Sequence, residues 1–517
     1  MSKRVSIDQA IDMIHDGDGI AISGFQSCTV SRELYLALAE RFRTTGHPCG
    51  LTLMQGAGNT GVQDMTEEGL FSRYITGHYA GNQKMIQMVI ENKIQSYNLP
   101  QGVVDHMYRA AAGGKIGEIT KIGLHTFCDP RLGGGKMNEI TTEDLVELTD
   151  ICGEEYLVYK TPKLDIALVR GTTSDELGNI TIEEESAPVD LLDVVMGVKG
   201  MGGKVIVQVK NYVSSGSMDR SQVVIPGSMV DAVVVCTNPE ENHRQTPAAF
   251  YDPILSGHFR ANDIGFDTLP LNDRKVIARR AAMELAPNSV VNLGIGIPEG
   301  VAKVASEEGI ADRLCLTIES GLIGGVPAGG AHFGSSYNAW AALSMTHQFD
   351  YYDGGNLDIC SLGFAEVDPA GNVNVSRFGN RIAGAGGFID ISQSTPKVAF
   401  SGTMTAGGLR LEIRDGTLHI LEEGQKKKFL RSIGQITFSA AQSRRAGQKV
   451  LFITERCVFE VTEKGLMLTE IAPGITIEEH ILPCMEFEPL ICPNLKLMDA
   501  RIFREEPMGL ASIIGAK

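Results

Sequence analysis

The chain repeats itself, and the repeat narrows the folds open to it. Leu164-Asp165-Ile166 is followed by Gly178-Asn179-Ile180-Thr181-Ile182 and then by Lys204-Val205. Leu357-Asp358-Ile359, Gly371-Asn372-Val373-Asn374-Val375 and Lys397-Val398 recur with the same gaps, at a constant offset of 193 residues. Blocks of about 40 residues that keep register without a gap point to two similar halves. The halves also start alike. Ser6 and Gln9 have capping-box spacing, and Ile7, Ile11 and Ile14 make a helical stripe that Gly17 ends. The strand Ile20-Ala21-Ile22 follows and breaks at Gly24-Phe25. In the second half Ile277, Ala281 and Leu285 form the stripe, and Pro287-Asn288 breaks it. Val290-Val291-Asn292-Leu293 is then a strand ending at Gly294-Ile295-Gly296.

Short apolar strands alternating with helices imply an α/β fold with largely parallel sheets flanked by helices. The expectation is two similar α/β domains fused in one chain. The first half spans residues 1–259, a linker spans 260–272, and the second half spans 273–517.

Composition removes several function classes. Lys plus Arg is 46 against 63 Asp plus Glu, a net charge of −17. No basic run interrupts that excess, so nucleic acid is not an expected partner. No stretch reaches the roughly 18 to 20 apolar residues of a membrane span, and no apolar run follows the first residues as in a secretory signal. Ten cysteines without a CxxC pair read as reduced thiols, so the expected compartment is the cytoplasm. Eleven histidines without an HxH or HxxxH pair lead to an expectation of no metal. Gly133-Gly134-Gly135-Lys136 is followed by Met137, where a phosphate loop needs a hydroxyl, so ATP-driven chemistry is not expected. Glycine is in excess, 59 of 517 residues, which suggests loops where backbone approaches backbone or ligand.

Three segments carry candidate chemistry. In Leu314-Cys315-Leu316-Thr317-Ile318-Glu319-Ser320-Gly321, a strand ends on a carboxylate and a glycine turn follows. Ligands bind outside the carboxyl ends of parallel strands. Glu319 could therefore be a general base, a metal ligand, a ribose acceptor or a covalent nucleophile, or a solvated strand-end residue. Gly294-Ile295-Gly296-Ile297-Pro298-Glu299-Gly300 imitates a dinucleotide fingerprint. Glu stands where its third glycine belongs, and Pro298 removes a donor. What remains is a possible amide cradle for an anion or oxyanion. Ala383-Gly384-Ala385-Gly386-Gly387-Phe388 is a close-approach loop or a turn. Glu183-Glu184-Glu185 reads as a solvated face, and His332 as structural or as a support for a neighbouring site residue, not as catalytic.

With Glu319-Ser320-Gly321, the Gly294 segment and Pro100-Gln101-Gly102 in view, the chain resembles the family I coenzyme A transferases. It is most similar to their fused, single-chain propionate/acetate group. The likeness extends through Gly123-Leu124-His125-Thr126-Phe127-Cys128-Asp129-Pro130-Arg131, Tyr251-Asp252-Pro253, Gln348-Phe349-Asp350 and Leu497-Met498-Asp499-Ala500-Arg501. The resemblance implies an alpha-subunit-like first half and a beta-subunit-like second half carrying the catalytic Glu319. It implies ping-pong transfer of coenzyme A between short-chain acyl-CoA and free carboxylates through a glutamyl-CoA thioester. It also assigns Gly24, Phe25, Gly294, Ile295, Gly296, Gly386 and Gly387 to oxyanion or CoA-binding loops, and Gln101 to the substrate pocket. A homo-oligomer, with a tetramer favoured, is the family expectation.

Overall fold

Where the sequence alternates apolar strands and helices, the chain builds two largely parallel sheets, one in each of two units. The computed structural model describes residues 2–262, 264 and 268–514. The first unit holds the described residues through Asn262, together with Ile318–Asp350 and Asn380–Asp390. The second holds the described residues of 263–317, with Tyr351–Gly379 and 391–514. The chain thus changes unit several times beyond residue 273. The expected linker 260–272 lies partly outside the described residues.

The first unit is built on a nine-stranded sheet. Its parallel strands lie in the order Gln95–Asn98, Phe71–Thr76, Leu51–Gln55, Gly19–Ile22, Ile166–Asp175, Lys204–Val213 and Ala232–Val235. Every residue of Ile166–Asp175 is buried, because parallel strands are covered on both faces. The helices Arg32–Thr45, Gln83–Ile90, Gln101–Ala112 and Leu191–Gly200 alternate with these strands along the chain. In the second sheet Cys315–Ile318, Val290–Leu293, Ile359–Leu362, Lys397–Ser401 and Lys449–Ile453 pair in parallel. The antiparallel strands Cys457–Thr462 and Gly465–Ile471 extend that sheet. Among the described residues no helix is long and apolar enough to cross a membrane.

The repeat is a repeat of structure. Asp165 accepts the Gly19 N–H at 2.9 Å, and Asp358 accepts the Val290 N–H at 2.7 Å. Each aspartate ties the start of its strand to the neighbouring parallel strand. Ten residues on, Asp175 accepts the amides of Leu177 and Asn179, and Asp368 accepts those of Ala370 and Asn372. Asn179 and Asn372 close the turns with 2.8 Å side-chain bonds to these aspartates. Gly178 and Gly371 have positive φ, which the turn requires.

The capping box at Ser6 and Gln9 forms, but its helix is only Ile7–Ile11, not a run to Gly17. One turn suffices, because Ala10, Ile11 and Ile14 are already buried. In the second unit Asn272 caps Asp273–Ala282 by accepting the Lys275 N–H.

Candidate functional site

Glu319 directly follows the strand Cys315–Ile318, whose Leu316 and Ile318 are buried. Its side chain is half-buried and Ser320 is fully buried. The turn is fixed on both sides. Gly321 has φ +108°, and a Cβ there would overlap the Leu343 carbonyl oxygen. Leu343 in turn donates to the Gly321 carbonyl at 2.8 Å. Leu322–Ile323 then pairs antiparallel with Ala341–Ala342. Gly324 makes room for the Trp340 indole and Gly325 for the Tyr337 carbonyl. These glycines serve close approach within the chain. Gly321→Ala is expected to cost about 2 kcal/mol or more of stability, read by thermal denaturation. Wild-type stability in that variant would mean that the turn tolerates a Cβ.

Ser320 links this turn to the first glycine loop. Its Oγ donates to the Gly334 carbonyl at 2.7 Å. Gly334 packs against the Phe25 ring and Cys28, and Phe333 lies 5.6 Å from Phe25 between ring centroids. Beneath the loop, Asp190 accepts both the Ser23 hydroxyl at 2.7 Å and the Gly24 N–H at 3.1 Å. Burial pushes the Asp190 carboxyl up to about 7.

Gln101 opens the helix Gln101–Ala112 behind Pro100 and is buried. Its N–H donates to the Gly386 carbonyl at 3.0 Å, and its Nε2 donates to Met345 Sδ at 3.3 Å. The Gly386 N–H returns to the Gly77 carbonyl at 2.7 Å, and the Ala385 N–H goes to Asn98 Oδ1 at 2.9 Å. The Gly386-Gly387 loop therefore rests on the carboxyl ends of Phe71–Thr76 and Gln95–Asn98. Asp390 lies against Gly102, and Asp105, one turn beyond Gln101, lies against Gly56. Both are fully buried, and burial pushes Asp390 up to about 7 and Asp105 well above the usual carboxylate range. The first unit thus brings Glu319, Gly24, Phe25, Gln101, Gly386 and Gly387 onto one framework.

Gly294, Ile295 and Gly296 belong to the second unit. Gly294 donates to the Ser361 carbonyl at 2.8 Å, and the Gly296 N–H donates to Glu299 Oε1 at 3.0 Å. Glu299, the residue that spoils the dinucleotide fingerprint, closes its own loop. Ile295 is 61% exposed.

The match to known proteins follows this geometry. Residues 4–236 match the family model described as coenzyme A transferase. A caffeate CoA-transferase of Acetobacterium woodii is 44% identical over 100% of both chains. The acetate CoA-transferase YdiF of Escherichia coli K12 is 42% identical over 98% of this chain and 96% of its own. The chain belongs to the coenzyme A transferase family. The crystal structure of the acyl-CoA transferase YdiF from E. coli O157:H7, a thioester complex with CoA, superposes with a TM-score of 0.92. That pair is 41% identical over 98% of this chain and 97% of the other. The protein is accordingly a CoA-transferase, and coenzyme A is the compound its family acts on.

Most backbone amides of these glycine loops are already spent within the chain. The N–H groups of Gly24, Phe25, Gly294, Gly296 and Gly386 all donate within the chain. Among the described residues the Ile295 and Gly387 amides have no acceptor.

Other readings change. Glu183-Glu184-Glu185 is not a solvated face. Glu185 pairs with buried Arg170 at 2.6 Å, Glu184 with Lys210, and Glu183 with the Thr173 hydroxyl. His332 is tied to the Thr246 hydroxyl at 2.9 Å. Sequence reasoning missed Asp190, Asn98 and Met345, which hold the loops. Asp190 has one legible signal: it immediately precedes the apolar helix Leu191–Gly200, yet its carboxylate turns to Ser23 instead of capping.

Proposed function

We propose that this CoA-transferase moves coenzyme A between short-chain acyl-CoA and free carboxylic acids by ping-pong chemistry, with Glu319 as nucleophile. The observation that carries the reading is the turn around Glu319. It presents a half-buried carboxylate at a strand end, locked by Gly321 against Leu343, in the same unit as Gln101 and the unspent Gly387 amide. The YdiF thioester complex with CoA supports it by analogy.

In the first step a Glu319 oxygen attacks the thioester carbonyl. The C–S bond breaks, coenzyme A leaves as the thiolate, and an acyl-glutamyl anhydride remains. The thiolate then attacks the glutamyl carbonyl. The first acid departs as its carboxylate, leaving coenzyme A in thioester linkage to Glu319. The second acid runs both steps in reverse. One thioester is exchanged for another, so no ATP is consumed. A carboxylate is a weak nucleophile, so stabilising the tetrahedral oxyanions has to carry much of the rate. One preorganised donor such as the Gly387 amide contributes about 3 to 4 kcal/mol. Gln101, anchored by its backbone to Gly386 and by its side chain to Met345, is assigned to hold the acid.

The test is mass spectrometry of the protein mixed with acyl-CoA alone and then treated with hydroxylamine. Modification at Glu319 only when acyl-CoA is present is the expected result; an unmodified Glu319 in an active enzyme refutes the mechanism. Acetate, propionate, butyrate, lactate and caffeate as acceptors define the acyl range, since the two relatives are named for acetate and caffeate. Release of free thiol at the same rate without any acceptor would mark a hydrolase instead.

A further inference from the structure

Lys428 is a buried lysine whose cation lacks a hydrogen-bonded partner. Its residue is 8% exposed. Among the described residues, no hydrogen bond or ion pair reaches its ammonium. Nζ stands 3.8 Å from the centroid of the Phe364 ring. It also lies against Gly402, where a Cβ would come within 2.8 Å of it. Phe364 packs edge-on against Phe429 and Phe452, at 5.8 and 5.6 Å between centroids, so the ring is held in place.

The position in the fold is specific. Phe364 comes two residues after the strand Ile359–Leu362, and Gly402 directly follows Lys397–Ser401. Those strands pair in parallel, which puts the ammonium at the carboxyl edge of the second unit's sheet. Open α/β sheets bind ligands along that edge. One strand over, Val290–Leu293 pairs with Ile359–Leu362 and delivers the loop Gly294-Ile295-Gly296 to the same edge. Gly296 and Gly363 border open space, with no atom within 4 Å of where a Cβ would be.

The charge around Lys428 is incomplete. Glu455 is its charged neighbour, but that carboxylate already accepts the Met404 N–H at 2.9 Å and Arg456 Nε at 2.6 Å. Phe364 and Gly402 bring no charge. An aromatic face attracts a cation but does not satisfy its N–H donors. Burial pulls the amine down to about 8, so at neutral pH it is still mostly an ammonium. A buried ammonium without a partner is costly, and a bound anion would remove that cost.

We infer that Lys428 is a binding residue for an anionic group of coenzyme A, held at the carboxyl edge of the second unit's sheet. The inference rests on the CoA-transferase reading. Coenzyme A offers a 3′-phosphate, a diphosphate and, once its thiol is deprotonated, a thiolate, each able to accept from an ammonium.

The test is calorimetric titration of the full chain with coenzyme A, 3′-dephospho-coenzyme A and desulfo-coenzyme A. Lys428→Met is expected to weaken coenzyme A binding by about 10- to 100-fold. Lys428→Arg keeps the charge and retains part of the affinity. The analogue whose binding Lys428→Met leaves untouched identifies the group it lacks as Lys428's partner; a penalty on both analogues assigns the diphosphate. Affinity for coenzyme A within twofold of wild type in Lys428→Met overturns the inference. A wild-type chain that binds no coenzyme A at all would overturn the CoA-transferase reading instead. Amine acylation of the wild-type chain, read at Lys428 by mass spectrometry, removes dependence on the variant's folding. Protection by saturating coenzyme A is expected, and equal labelling with and without it overturns the inference.

Discussion

Glu319→Gln is expected to abolish transfer while leaving the protein folded. The substitution keeps the size and planarity of the side chain and removes the nucleophilic oxygen. Without that oxygen neither the anhydride nor the glutamyl thioester can form, so the loss of turnover should be on the order of 10⁴-fold or more. Stability should change by less than about 1 kcal/mol, because the side chain is only half-buried and the turn is held by Ser320, Gly321 and Leu343. Steady-state kinetics with an acyl-CoA donor and a carboxylate acceptor, together with a melting curve, check both halves. Turnover above a tenth of wild type would remove Glu319 from the chemistry. Binding of coenzyme A should persist in this variant, which separates the roles assigned to Glu319 and Lys428.

The largest stability effect is expected at Arg170. Arg170 and Glu185 form a buried ion pair, with both side chains 2% exposed. Arg170 Nε and Nη2 contact the two carboxylate oxygens at 2.9 and 2.6 Å, and Nη1 donates to the Val30 carbonyl at 3.1 Å. Arg170→Met would leave a buried carboxylate facing His243 alone, at 3.5 Å. Breaking such a pair from one side costs about 3 to 5 kcal/mol. The same pair fixes an acid limit. Burial by itself would raise the Glu185 carboxyl, but Arg170 and His243 outweigh it and hold the group at about 2, against its ordinary 4.5. A carboxyl whose folded value is depressed contributes fully above its unfolded value. That contribution disappears as pH falls from 4.5 through 2. Denaturant titrations should show stability falling over that window in wild type and a flatter curve in Arg170→Met. Equal stability of the two proteins at pH 7 would contradict the assignment.

Two other buried carboxyls behave oppositely as pH rises toward neutrality. Asp190 and Asp390 carry folded values near 7, above their ordinary 3.8, because burial disfavours the charged form. Their contribution is complete below 3.8 and is lost as pH rises through 7. Both aspartates lie under the loops of Gly24 and Gln101, so these loops bear the cost of ionisation.

Much of the scaffold was readable because it is local. The Ser6–Gln9 capping box, the strand ends at Gly24 and Gly294, and the Gly178-Asn179 and Gly371-Asn372 turns of the repeat all lie within a few residues and obey short-range rules. The 193-residue offset linked two such sets because the same turn chemistry recurs. Glu319 stood out because a carboxylate ends an apolar strand just before glycine. The contacts that assemble the site are not local. Gly386 reaches Gln101 across nearly 300 residues, and Asp190 reaches Ser23 across 167, with no periodicity to announce either. The glycines looked like bared amides, but only the folded chain shows which amides are already spent. The triplet at Glu183 misled for a related reason. A run of charge reads as solvated unless its partners are visible, and Arg170 sits across a hairpin.

The Gly386 contact also bears on how the protein is made. A ribosome releases the first unit's sheet early and the stretch Asn380–Asp390 late. At roughly 5 to 20 residues per second, about 285 further residues take roughly 14 to 57 seconds. Throughout that interval the Gln101 amide is emitted but lacks the Gly386 carbonyl, and the Gly77 carbonyl has only its bond from Asn98 Nδ2. The nascent first unit stays incomplete until Asn380–Asp390 has been synthesised, so truncated chains ending before residue 380 should be prime clients for chaperones.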